Sequence, residues 1–197
     1  MIHVDRKTGR LVRWIMMVTI IAVAVQPAQS QTKVQQSCAQ HCGDKIAKAP
    51  VLSKTNQQIL DVHNRYRKEV GVSPLTWSNA LARDAQVWAN HLASLGGRQL
   101  IHDESQNKQG ENLWMGTAGA FSINRMIDSW GSEKKNFRQG IFPNVSKTGN
   151  WSDVGHYTQI IWRNTTQVGC AKSTAGGNDI LVCRYSPAGN FIGQPVL

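Results

Sequence analysis

The order of the apolar patterns along the chain limits the fold more than any other feature of its 197 residues. Apolar residues recur three or four positions apart, as on one face of a helix, within residues 59–70, 81–95 and 123–130. Later stretches that are short and rich in β-branched or aromatic residues, which is typical of strands, occupy 157–162, 167–171 and 180–185. Helices followed by strands with short connections favour an α+β layer fold over a parallel doubly wound sheet.

Serine, threonine and glycine residues mark the ends of the predicted helices. Ser53 and Thr55 can each cap the first helix, and Gly71 can end it in a left-handed conformation. The second helix is expected to stop at Gly96, and the third to begin near Ser122.

The first 30 residues have the pattern of an export signal. Four Arg and Lys residues within positions 6–13 precede an apolar run at 15–25 and small residues at 28–30. A retained signal anchor is the alternative, but the run is shorter than the ~20 residues that a membrane-spanning helix needs. We therefore predict a signal peptide over 1–30, a flexible leader over 31–52 and a single domain over 53–197. The mature protein should have no transmembrane segment and be secreted, or periplasmic in a Gram-negative bacterium.

The chain is basic, with 22 Lys and Arg residues against 12 Asp and Glu residues. Basic exported proteins meet anionic surfaces, so an anionic surface or a glycan is a candidate partner. The alternative is a solvated basic surface without a specific partner. No basic helix or interleaved aromatic platform is present, which argues against nucleic acid.

Two late segments, 155–165 and 183–190, are apolar stretches that carry polar groups a plain core strand would not need. Three motifs precede them: His63-Asn-Arg-Tyr-Arg67, Gly110-Glu-Asn-Leu113 and Trp130-Gly-Ser-Glu133. In this order, over roughly 55–194, the segments resemble the signatures of the CAP superfamily of cysteine-rich secretory proteins, antigen 5 and plant pathogenesis-related protein 1. The resemblance implies an α–β–α sandwich with a small central antiparallel sheet, in a protein that we expect to be a monomer.

All four cysteines lie beyond the export signal, as expected in an oxidising compartment. Cys170 and Cys183 flank a short turn, so adjacent antiparallel strands could bring them together, and the pair resembles a disulfide of the family. Two buried free thiols are the alternative. Cys38 and Cys42 could bond to each other or to a partner chain, and a metal site with His41 is less favoured because a fourth ligand is missing.

Four residues resemble the central cleft of the family: His102, Glu111, Glu133 and His156. Two imidazoles and two carboxylates in one cavity are suitable ligands for a divalent cation such as zinc or magnesium, although none is obligatory. The alternative is a hydrogen-bonded cluster without metal.

The segment 113–121 is predicted to be an apolar loop that contacts a ligand through Trp114, Met115 and Phe121. The alternative is that these side chains close the core over the cleft. His63 and His91 lie on predicted helices and are interpreted as packed residues without contact to a ligand.

The resemblance favours a non-catalytic extracellular module that binds a sterol or other lipid, or that acts in contacts between host and microbe. We assign no catalytic residue, because the chain has no Gly-x-Ser-x-Gly motif and its cysteines are suited to disulfides. The alternative function is a metal-dependent hydrolase that uses Glu111 or Glu133 as a general base in the same cavity.

Overall fold

The computed structural model describes residues 52–105 and 108–197. The predicted signal peptide and the predicted leader up to residue 51, together with Cys38 and Cys42, lie outside the described residues. Within the described ranges, no helix has the length and apolar character needed to cross a membrane.

Four helices and four strands make up the described part of the chain. The helices are α1 (Lys54–Glu69), α2 (Asn79–Ser94), α3 (Ile123–Gly131) and α4 (Gly155–Ile161). The strands are β1 (Thr76–Trp77), β2 (Gly110–Thr117), β3 (Gln167–Ala175) and β4 (Asn178–Ser186). Short 3-10 turns at Ser132–Asn136 and Trp151–Asp153 connect α3 to α4.

The end of α1, the end of α2 and the start of α3 lie where the sequence predicts, and of the two caps predicted for α1 the structure uses Ser53, since Thr55 lies inside the helix. The Ser53 hydroxyl accepts a hydrogen bond from the Asn56 amide at the start of α1, and the Ser122 hydroxyl accepts one from Arg125 at the start of α3. Gly71, with φ of 71°, follows α1 in the left-handed conformation that glycine adopts without strain.

The sheet has the strand order β1-β3-β4-β2. β4 pairs antiparallel with both β3 and β2, which makes it the central strand. The two residues of β1 add a short parallel pairing to β3, so the predicted antiparallel sheet carries one parallel strand at its edge. The α–β–α sandwich is confirmed.

The two faces of the sheet pack against different helices. Alternate residues of β4 point to opposite faces, as a strand requires. Leu181, Cys183 and Tyr185 belong to the core that contains residues of α1, α3 and α4. Ile180 and Val182 pack with Ala85, Ala89 and Leu92 of α2.

The prediction of a strand over 157–162 is wrong, because residues 157–161 belong to α4 and Trp162 follows its last residue. The five residues from Tyr157 to Ile161 are all buried, including the polar Thr158 and Gln159. A short run that is buried on all sides has no periodicity that separates a helix from a strand. The Glu133 carboxylate also accepts a hydrogen bond from the Tyr157 amide at 3.0 Å, which supports the helix from a distant segment.

The prediction of a loop over 113–121 is also wrong for its first five residues, which belong to β2. Pairing with β4 sets this conformation, since Leu113 lies opposite Val182 and Thr117 opposite Asn178. Short-range sequence patterns contain little information about such a distant partner.

The predicted disulfide is confirmed. Cys170 of β3 and Cys183 of β4 lie directly opposite each other and are bonded at 2.01 Å.

A chain of buried hydrogen bonds crosses the core. The imidazole of His63 bonds to the Ile59 carbonyl through Nδ1 and to the Tyr185 hydroxyl through Nε2, each at 2.8 Å. The Asn112 amide donates to the same hydroxyl and to the His156 carbonyl, each at 3.1 Å. A carbonyl only accepts, so Nδ1 carries the proton and Nε2 accepts from Tyr185. His63 is therefore a packed residue.

Burial lowers the pKa of His63 to about 4. Because the folded state excludes the proton that the unfolded chain binds below pH ~6.5, the His63 contribution to stability is complete above that pH. It should be lost as the pH falls toward 4, by about 3 kcal/mol in total. Urea unfolding at pH 7.5 and 4.5 measures the loss, and His63→Gln should flatten the difference. An equal pH dependence of the unfolding free energy in both proteins would contradict the role of the lowered His63 pKa.

Candidate functional site

A cavity of about 720 Å³ opens between the segment that precedes β2 and the turn that precedes α4. Its walls combine charged groups with apolar side chains, including His102, Glu111, His156, Arg184, Phe142 and Trp151. It therefore contains three of the four residues predicted for the central cleft.

His102 and Glu111 form the first pair in this cavity. Nδ1 of His102 lies 2.6 Å from Oε1 of Glu111, which also accepts a hydrogen bond from the Asp103 amide at 3.2 Å. The His102 side chain is 65% exposed, whereas that of Glu111 is 6% exposed. The bond to Glu111 stabilises the imidazolium form and raises the pKa of His102 above its ordinary value, although burial and Arg184 oppose the shift.

Arg184 supports this pair from the central strand. It lies opposite Glu111 in the β2–β4 ladder, with Nη2 3.0 Å from Oε2 of Glu111 and 2.7 Å from Oδ2 of Asp103. Burial alone would raise the pKa of Asp103, but hydrogen bonds from Ser105 and Arg184 hold it below its ordinary value. Arg184 is a site residue that was not predicted, although a charged residue inside an apolar strand was the available signal.

His156 and Glu133 form the second pair. Nδ1 of His156, in the first turn of α4, lies 2.7 Å from Oε1 of Glu133 in the 3-10 turn after α3. The His156 ring stacks on the indole of Trp130, with centroids 6.0 Å apart. A buried aromatic face and a carboxylate thus hold the imidazole in one orientation.

The four predicted residues form two His–Glu pairs. In residues 52–105 and 108–197, no three His, Cys, Asp or Glu side chains converge as ligands of one ion. Both imidazoles use Nδ1 for the carboxylate, and the rest of the described chain offers no hydrogen bond to either Nε2. When Nδ1 of a neutral imidazole donates a hydrogen bond to a carboxylate, the lone pair lies on Nε2. Histidines that bind a metal through one ring nitrogen commonly donate the other N–H to a carboxylate in this way.

Nucleophilic catalysis would need a hydroxyl or thiol held against one of these imidazoles. Among the described residues, no Ser, Thr or Cys side chain is hydrogen-bonded to His102 or His156. The two pairs are therefore suited to holding a proton, a polar group or a cation.

The three residues predicted to contact a ligand occupy different places. Phe121 lines a second cavity, of about 750 Å³, and packs edge-to-face against Trp114 with ring centroids 5.3 Å apart. Trp114 lines only a small cleft beside it. Met115 packs against the α2 side of the core, as the alternative interpretation holds.

The second cavity is a groove between the first turns of α1, α2 and α3. Its apolar surface includes Ile59, Ile123, Met126 and Leu181. Its polar rim includes Asn56, Gln58, Asn79, Arg83, Gln86 and Lys172. β1 pairs only with the first two residues of β3, and the groove opens beyond that pairing, along Cys170–Lys172.

Comparisons with known proteins agree with this architecture. The model of the CAP family, described as the cysteine-rich secretory protein family, matches residues 60–185. Pathogenesis-related protein 1B of Nicotiana tabacum is 38% identical over 142 residues, which cover 71% of this chain and 79% of that protein. Venom allergen 5 of Polistes dominula is 32% identical over 193 residues, which cover 84% of this chain and 80% of that protein. A crystal structure of NaASP2 with Zn²⁺ has a TM-score of 0.62 at 21% identity, covering 76% of this chain and 88% of that one, and shares the fold.

We expect the bond to Glu111 to change the titration of His102. His102 should titrate above the ordinary histidine value near 6.5, and Glu111→Gln should lower its midpoint because the charged acceptor is lost. NMR titration of the imidazole resonances measures both values. Glu104→Gln is the control, since Glu104 lines the same cavity without bonding to His102. Equal midpoints in the wild-type and Glu111→Gln proteins would refute the pairing.

Proposed function

Because the chain belongs to the CAP family, we propose that it is a secreted, non-catalytic binding module that holds a lipid in the groove between α1, α2 and α3. Relatives named as pathogenesis-related proteins and venom allergens suggest a role in contacts between organisms. The observation that carries the proposal is the groove itself, a partly open space of about 750 Å³ with apolar walls and a polar rim. This volume lies within the range of ~300–1,000 Å³ that small-molecule sites occupy.

The groove has the two kinds of surface that an amphiphilic molecule needs. Ile59 and Met126 are almost fully buried, so the apolar surface open to a tail comes from the exposed Phe121 and the half-buried Ile123. Arg83 on the rim is exposed and makes no ion pair with any described residue. A carboxylate, sulfate or sterol hydroxyl could bind there. These features support a ligand with one polar end and a tail or ring system of moderate length.

We call the cavity lined by His102, Glu111, His156 and Arg184 the polar cavity, and we propose that it holds a second, separate ligand, a divalent cation. His102 and His156 would supply Nε2 lone pairs, and Glu111 and Glu133 would orient the rings and offset the charge from behind. Zinc is favoured over magnesium because imidazole nitrogen is a preferred zinc ligand, while magnesium prefers oxygen. The ion would link the segment that precedes β2 to α4 and so contribute to stability or ligand binding.

Filling the groove should abolish lipid binding. Ala82 of α2 lines the groove, so Ala82→Phe places a ring in the space that the ligand would occupy. We expect at least a tenfold loss of affinity for a fluorescent fatty acid or sterol, with an unchanged circular dichroism spectrum. Val87→Phe is the matched control because Val87, on the same helix, is 69% exposed and lies outside the groove. Equal affinities in the two variants would place any lipid elsewhere.

Zinc uptake should depend on the two cavity histidines and on their neutral forms. Calorimetric titration of zinc should give heat in the wild-type protein that is lost in His102→Ala/His156→Ala and that fades as the pH falls and the imidazoles protonate. A Cys38→Ser/Cys42→Ser background removes the other candidate ligands, and His91→Ala is the control. His91 stacks on Trp88 and lies outside this cavity. Equal heats in all variants would leave the pairs as hydrogen-bonded clusters.

A further inference from the structure

Four of the nine large apolar side chains that are exposed in the described structure lie along one edge of the molecule, beside the polar cavity. They are Ile141, Trp151, Phe191 and Ile192. Ile192 is 82% exposed and Trp151 is 47% exposed. Single exposed apolar residues are ordinary, but several on one edge mark an interaction surface. We call these four residues the apolar edge.

Backbone pairing holds the apolar edge together. The Phe142 amide donates to the Gln194 carbonyl at 2.9 Å, and the Gly193 amide donates to the Phe142 carbonyl at 2.8 Å. This fixes the turn that carries Phe191 and Ile192 against the segment that carries Ile141. Trp151 packs edge-to-face on Phe142, with ring centroids 5.3 Å apart. The exposed side chains therefore extend from an ordered scaffold.

The segments that carry the apolar edge are basic. Lys135, Arg138 and Lys147 are exposed, and no Asp or Glu occurs between residues 134 and 152. Arg163 is also exposed, and its amide donates to the Val196 carbonyl just beyond the Ile192 turn. None of these four cations forms an ion pair within residues 52–105 and 108–197. Residues 187–197 contain no charged side chain that would resist insertion.

We propose that the apolar edge is a docking surface for a membrane that contains anionic phospholipids. Ile192, Phe191 and Trp151 would enter the interface between head groups and acyl chains, where aliphatic tips gain burial and an indole is well accommodated. The surrounding Lys and Arg side chains would remain at the level of the phosphates, each attracted by the negative surface potential. This surface lies apart from the lipid groove and does not depend on it.

Shallow docking fits these residues better than a binding site for another protein. The edge is a turn with two protruding side chains next to flexible cations, whereas protein interfaces are depleted of lysine at their core. Neither the few apolar side chains nor the four cations would bind a membrane strongly alone, so the two contributions should act together. Added salt should weaken binding because it screens the charges.

Vesicle co-sedimentation tests the proposal on the protein as cells produce it, so that any N-terminal processing is the same in every variant. Wild-type protein should bind vesicles of phosphatidylcholine with 30 mol% phosphatidylglycerol (about a third anionic, enough for a negative surface potential) and not bind phosphatidylcholine alone. Phe191→Ser/Ile192→Ser should lower the partition coefficient at least tenfold. Val87→Ser/Leu95→Ser, which removes two exposed apolar side chains from the region of α2, should not.

The charges are tested in the same assay. Arg138→Gln/Lys147→Gln should weaken binding several-fold, while Lys54→Gln/Arg98→Gln, with the same change in net charge, should have little effect. Equal losses in the two charge variants, or no binding by the wild-type protein, would overturn the proposal. So would sedimentation of the wild-type protein as a dimer that Phe191→Ser/Ile192→Ser dissociates, because the edge would then be an interface between two copies. Unchanged fatty-acid affinity in the edge variants would show that the groove is intact.

Discussion

The hydrogen-bonded chain from His63 through Tyr185 to Asn112 is the constraint on which the rest of the structure depends. Each group in it is buried, and each has one orientation that satisfies its partners. A buried donor or acceptor that loses its partner costs about 1–3 kcal/mol, so α1, β4 and β2 cannot shift independently. Because Asn112 also donates to the His156 carbonyl, the same chain fixes the start of α4 and one wall of the polar cavity.

Two buried arginines extend this order to the irregular segments. Arg67 of α1 donates to the carbonyls of Ser73, Ile160, Trp162 and Thr165, which ties the end of α4 and the turn after it to α1. Arg184 ties β4 to the charged wall of the cavity through its ion pairs with the carboxylates of Glu111 and Asp103. Loops near the cavity are therefore held by charge-assisted hydrogen bonds.

The three candidate binding surfaces differ in the side chains that line them. The His–Glu pairs line one cavity, the apolar groove lies between the helices, and the apolar edge lies at the mouth of the polar cavity. A charged cluster stays hydrated in the open cavity, while an apolar tail requires a surface from which water has been removed. These differences in lining are the physical reason to expect a different ligand at each place.

The sequence by itself determined the family, the first three helices with the Ser53 and Ser122 caps, the β3–β4 hairpin with its disulfide, and the four residues of the His–Glu pairs. The helices and the hairpin follow from local patterns of apolar spacing and of Ser and Gly residues, whereas the four residues of the pairs follow from the resemblance to the CAP superfamily. Only the tertiary structure decided that 155–161 is a helix, that 113–117 is a strand, and that Phe121 lines the groove while Trp114 lines the cleft beside it. It also decided that each imidazole pairs with its own carboxylate and that Arg184 lies behind Glu111. Those outcomes depend on contacts between residues distant in sequence, and a short apolar segment buried on every side adopts the conformation that its neighbours in space require.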